Sequence, residues 1–169
     1  LVKVTNKIIA NAGADKSICI GEQTTLNAIG GADYQWSTGQ KSASINVNPT
    51  TSTTYIVTVS SGSNCKDIDS VLVKVNPLPI ANAGKDIAIC NGTSGTLVAT
   101  GGLNYSWSTN ENKAEISVSP IVKTTYTVTV TDLNNCKSTD QVEVSVNPRP
   151  IVNKITGDTL IKCSSSKLL

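Results

Sequence analysis

The sequence contains no His, no Met and no Phe, and only two Trp and four Tyr among 169 residues. Without His, catalysis of the Ser–His kind has no base, and the most frequent zinc ligand is missing. Acidic residues are few and no clustered pair of carboxylates stands out, so no enzyme is visible. Charge is sparse as well: 14 Lys and Arg against 12 Asp and Glu leave a net charge of +2. There is no basic stripe and no interleaving of aromatic with basic residues, which argues against nucleic acid as a partner. No apolar run approaches the ~18 residues of a membrane helix. No segment carries a 3.6-residue apolar stripe. No signal peptide and no initiator Met open the chain, so Leu1 is not expected to be a natural translation start.

What is abundant is Thr, Val, Ser and Asn. Thr and Val are β-branched and favour strands, while Ser, Asn and Gly favour the turns between them. The chain also repeats itself. Cys19 recurs as Cys90, Trp36 as Trp107, Tyr55 as Tyr126, Cys65 as Cys136 and Pro77 as Pro148, each 71 residues on and without a gap. Roughly half of the aligned positions are identical. The opening "LVKV" returns at Leu72–Val75, and "NPRPIV" returns to "NPLPIA". The expected organisation is therefore the last strand of a preceding repeat over 1–6, complete repeats over 7–77 and 78–148, and the start of a third over 149–169. On this reading the chain is a window cut from a longer tandem array.

Within the second repeat, "GTLVATG", "NYSWST", "AEISVSP", "TTYTVTVTD" and "TDQVEVSVNP" are short runs bounded by Gly, Asn, Asp or Pro. Several alternate with period two. Tyr126, Val128 and Val130 share one face, with Thr127 and Thr129 on the other; Val142, Val144 and Val146 form a second inward row. Outward positions between them vary between copies, as Leu72 against Glu143 and Lys74 against Ser145 show. About seven strands in about 70 residues, with turn signals every 8–12, predict an all-β fold: tandem Greek-key β-sandwiches of the Ig-like kind. The Pro pairs of "NPLPIANAG" and "NPRPIVNK" favour short, stiff joints and an extended rod.

The five Cys fall into the same frame. Cys19 with Cys65 and Cys90 with Cys136 give one expected pair per repeat, and Cys163 the first member of a third pair whose partner lies outside the chain. Zinc is the rival reading, but there is no CxxC and no His. Disulfides imply an oxidising compartment, outside the cytoplasm. Cys19 is expected to precede the second main strand and Cys65 to lie in the last loop, so that the bridge staples one end of the sandwich. Such a bridge would stabilise the repeat by ~4 kcal/mol. It would also hold the extension of a stretched repeat to roughly 90 Å instead of about 250 Å.

The ordered set "NAGxD…C.G…L.A.GG..Y.WST…A.I.V.P…TTYxVTVxx…NCK..D.V.V.VNP" resembles the PKD-like and Ig-like repeats of giant secreted proteins of Bacteroidetes. These include cell-surface adhesins of the gliding-motility type exported by the type IX secretion system. The resemblance covers nearly the whole chain. It implies that Trp36 and Trp107 are the core Trp of the third strand, and that Tyr55 and Tyr126 correspond to the corner tyrosine of such sandwiches. The PKD signature proper has a "WDFGDG"-like run where this chain has "WSTGQK" and "WSTNEN". The resemblance also implies a protein outside the cell, on the cell surface.

Candidate chemistry is thin. Asp15 and Asp86, and Asp69 and Asp140, recur and are weak calcium candidates; turn-capping is the favoured role for them. No other cofactor is expected. "DSV" and "DTL" resemble a short O-glycosylation motif of Bacteroidetes at Ser70 and Thr159, and "NGT" at Asn91–Thr93 fits the N-linked sequon. Two functions fit: stalk repeats of a large surface adhesin or filament, or Ig-like modules that bind polysaccharide or protein. The partners expected are neighbouring repeats of the same chain, surface polysaccharide, and the type IX secretion or gliding machinery.

Overall fold

Strands form where the period-two pattern runs, and the pattern runs twice. The computed structural model describes residues 7–62 and 65–149. The expected strand over 1–6, and the calls on Thr159 and Cys163, lie outside the described residues. The chain divides into two compact units, Leu1–Leu78 and Pro79–Leu169. In the first unit the strands are β1 (Lys16–Cys19), β2 (Thr24–Asn27), β3 (Asp33–Trp36), β4 (Ser44–Val47), β5 (Thr53–Ser61) and β6 (Cys65–Asn76). In the second they are β7 (Ile87–Cys90), β8 (Gly95–Val98), β9 (Asn104–Trp107), β10 (Glu115–Val118), β11 (Thr124–Thr131) and β12 (Lys137–Asn147). No helix occurs among the described residues.

Each unit is a two-sheet sandwich. One sheet has the order β1-β6-β5-β3 and faces the pair β2-β4; the second unit repeats this as β7-β12-β11-β9 and β10-β8. The connections β2→β3, β3→β4 and β4→β5 each change sheet, which is Greek-key wiring. The antiparallel hairpin β5–β6 runs from Thr53↔Val73 to Ser61↔Cys65. Its outer edge is covered by β1, which lies parallel to β6 from Lys16↔Val73 to Cys19↔Asn76. This is an immunoglobulin-like sandwich. A seventh strand is reduced to a single bridge, Asn11↔Ile29 in one unit and Asn82↔Thr100 in the other. Gly13 and Gly84, at φ 86° and 88°, turn the chain away two residues later.

The core follows from the alternation. Tyr55, Val57 and Val59 of β5 and Val71 and Val73 of β6 point inward, onto Leu26, Ile45 and Val47 of the facing sheet and onto Trp36. In the second unit Tyr126, Val128, Val130, Val142 and Val144 meet Leu97, Ile116, Val118 and Trp107. Burying each such aliphatic side chain stabilises by roughly 1.5–3 kcal/mol. The outward positions Leu72 and Lys74 are exposed, and tolerate their replacement by Glu143 and Ser145.

The entrance of each repeat is a close-packed turn. Gly30 and Gly101 have φ of 118° and 104°. A Cβ at either would collide with a backbone carbonyl, that of Ile9 or of Ile80. The next residues, Gly31 and Gly102, lie against Val59 and Val130. The recurring "GG" is thus a steric requirement.

Candidate functional site

The N-terminal segment of each repeat has no full ladder, so its amides find side-chain acceptors. Ala10 N–H donates to Asp67 Oδ2 and Ala12 N–H to Asp69 Oδ2, both at 2.8 Å. In the second repeat Ala83 N–H donates to Asp140 Oδ2 at 2.8 Å. Ser138, at the position of Asp67, accepts from Ala81 N–H at 3.2 Å and donates its hydroxyl to Pro79 O at 2.6 Å. Asp15 Oδ1 accepts from Leu72 N–H at 2.9 Å, and Asp86 Oδ1 from Glu143 N–H at 2.8 Å. The four calcium candidates are therefore engaged with backbone amides. No group of three or more acidic or cysteine side chains gathers among the described residues.

These bonds set the electrostatics. The amides of Ala12 and then Ser70 hold the Asp69 carboxyl below its ordinary value, and those of Ala83 and Gln141 do so for Asp140. Burial pushes the Tyr55 phenol up. Tyr55 and Tyr126 are both core residues, 8% exposed. Trp36 and Trp107 are 2% exposed. Their Nε1–H groups donate to Ser42 O at 2.9 Å and Lys113 O at 3.0 Å, so neither ring offers a face to a sugar. Ser70 is an exposed residue in the middle of β6, paired with Ile56.

The cysteines depart from expectation. Cys19, Cys90 and Cys136 are disulfide-bonded, whereas Cys65 is a free, half-buried thiol. The expected Cys19–Cys65 bridge is therefore absent, and topology is the reason. The short segment before Cys19 is a strand, not a loop, and it runs parallel to β6. Cys19 thus stands beside Asn76, at the end of β6 opposite to Cys65. Eleven strand residues at ~3.3 Å put the two about 36 Å apart, against the 4.4–6.8 Å between Cα atoms that a disulfide requires. The same register sets Cys90 beside Asn147, while Cys136 precedes Lys137 at the other end of β12. The expected Cys90–Cys136 pairing is corrected on the same ground. "KSIC" and "IAIC" were the missed signal: short, with little alternation, yet bearing Ile18 and Ile89 inward.

One surface feature of the second unit is built in part on residues that differ between the repeats. Leu103, Asn104, Tyr105, Ser106, Asn112, Ala114 and Thr131 line an open depression of about 560 Å³ on the second unit. Leu103 and Leu133 beside it are 58% and 82% exposed. The first unit has Ala32 and Gly62 at these positions.

No family model matches the chain. No curated protein matches it either. Among solved structures it is similar to tandem immunoglobulin domains. The insect immune protein hemolin aligns at 14% identity and TM-score 0.44 over 86% of this chain and 49% of hemolin. Sidekick-1 immunoglobulin domains 1–4 align at 16% and 0.39 over 85% and 50%. The Ig1-2 module of the Drosophila receptor protein tyrosine phosphatase DLAR aligns at 9% and 0.35 over 84% and 100%. The chain thus spans about half the length of the hemolin and Sidekick-1 chains.

Proposed function

We propose that these are structural stalk repeats of a large secreted bacterial surface adhesin or filament, related to gliding or attachment and without catalytic activity. The observation that carries the reading is the residue-by-residue recurrence of a self-sufficient core. Each unit buries its own Trp, Tyr and Val set, and the recurring acidic residues serve backbone amides. Whatever recurs is used for folding, which is what a spacer needs. Three disulfide-bonded cysteines support an oxidising location outside the cell. The resemblance to gliding adhesins supports a cell-surface setting. Neighbouring repeats are then the first partners, with surface polysaccharide or the secretion and gliding machinery beyond them. O-glycosylation at Ser70 is a subordinate proposal of the same reading.

The depression at Leu103–Thr131 favours a second reading, a binding module for polysaccharide or protein, because its exposed leucines are private to one repeat. Retention on immobilised surface polysaccharide separates the two. The stalk reading expects none. Retention that is lost in Leu133→Asp establishes the binding module instead.

A further inference from the structure

The turn that closes β7 differs from its counterpart after β1 in two coupled ways. Cys90, Asn91, Gly92 and Thr93 form a β-turn, closed by the bond from Thr93 N–H to Cys90 O at 3.0 Å. Gly92 sits at φ 81°, and Gly21 holds the same place in the first repeat at φ 88°. The residue before the glycine is Asn91 here and Ile20 there. Asn91–Gly92 is the one Asn–Gly pair in the sequence. The second change is at the exit of the repeat, where Arg149 stands in place of Leu78. Its Nε–H donates to Asn91 O at 2.7 Å. Its guanidinium also covers Gly92: Nη2 stands 2.6 Å from where a Cβ would be, whereas nothing lies within 4 Å of that point at Gly21.

These groups are placed for a reaction within the turn. Asn91 is exposed, and among the described residues neither its carboxamide nor the Gly92 N–H makes a hydrogen bond. Asn91 is held through its main chain, by its N–H to Asn147 O at 2.8 Å and by its carbonyl to Arg149. The Gly92 nitrogen can close an imide ring on Asn91 Cγ, because glycine has no Cβ to obstruct the approach. The difficult step is loss of the Gly92 amide proton. The resulting anion carries much of its charge on Asn91 O, which is the atom that Arg149 holds. A charge-assisted donor already seated on that oxygen stabilises the anion.

The structure assigns Asn91 as a site of spontaneous deamidation, with Arg149 activating the Gly92 amide. Base in the solvent removes the Gly92 N–H proton. The nitrogen bonds to Cγ, the Cγ–Nδ2 bond breaks, and Nδ2 takes up a proton and leaves as ammonia. Water then opens the imide at either carbonyl, giving aspartate or isoaspartate. No electrons are gained or lost, and water is the co-reactant. Either product sets a carboxylate beside the Arg149 guanidinium, and isoaspartate also adds a methylene to the main chain of the turn. The turn that ties β7 to the end of β12 therefore changes with age, whereas Ile20–Gly21 has no carboxamide to lose. The inference concerns the chemistry of one turn and does not rest on the stalk role.

The full chain, kept folded in mildly alkaline buffer, is sampled over time, reduced, alkylated and digested with trypsin. Peptide 86–113 carries Asn91 together with Asn104, Asn110 and Asn112. Fragmentation in the mass spectrometer is expected to place the amide-to-carboxyl mass shift at Asn91 ahead of the others. Arg149→Leu, the residue of the first repeat, is expected to slow this conversion several-fold in the folded chain. In denaturant, where the guanidinium is no longer held on Asn91 O, the parent and Arg149→Leu should convert at the same rate. No shift at Asn91, or a shift that appears first at another asparagine, overturns the proposal. Folded parent and Arg149→Leu chains that convert equally, or a difference that persists in denaturant, overturn it as well.

Discussion

Asp69 accepts the amide of Ala12 across 57 residues of sequence, at 2.8 Å, and so pins the entrance of the repeat to its last strand. Asp140 does the same for Ala83. Both bonds favour the ionised carboxylate, so both folded-state values lie below the ordinary one. Stability from this source is complete above about pH 4, the unfolded value, and is lost as the pH falls through the depressed folded values. Denaturant midpoints at pH 6 and pH 3 should therefore fall less in Asp69→Asn/Asp140→Asn than in the parent. Equal declines would remove these carboxylates from the acid response. Replacing Asp140 by Ala, which strands the buried Ala83 amide, should cost about 1–3 kcal/mol at neutral pH.

The glycine at the entrance turn is the most sensitive backbone position. Gly101→Ala meets both a left-handed φ of 104° and the carbonyl of Ile80. A loss of about 3 kcal/mol or more is expected from chemical denaturation, combining backbone strain with displacement of the neighbour. Gly39→Ala supplies the comparison. Its φ is 89°, but no atom lies within 4 Å of the added methyl, so only strain of about 1 kcal/mol should appear. Asn110 holds the equivalent turn at φ 68° in the second repeat, so an L-residue is tolerated there. Equal losses at both sites would refute the close approach.

The alternating strands were legible because burial on one face writes itself into every second residue: Tyr126, Val128 and Val130 needed no structure to be placed inward. Trp36 and Trp107 were legible from their single recurrence per repeat. The edge strands β1 and β7 were not. Four residues such as "KSIC" are too short to show a period, and their pairing with β6 and β12 spans some 57 residues of sequence. That one omission reversed the cysteine geometry, since a parallel edge strand carries Cys19 to the far end of β6. Asp67 was also passed over as a cap, because it has become Ser138 in the next copy while keeping the role.

Calcium is expected to leave the melting temperature unchanged. Asp15, Asp69, Asp86 and Asp140 each have one carboxylate oxygen committed to an amide, and a hard cation needs six to eight oxygens around it. Thermal unfolding in millimolar calcium and in chelator should coincide. A rise of several degrees with calcium would show that these carboxylates leave their amides for the ion.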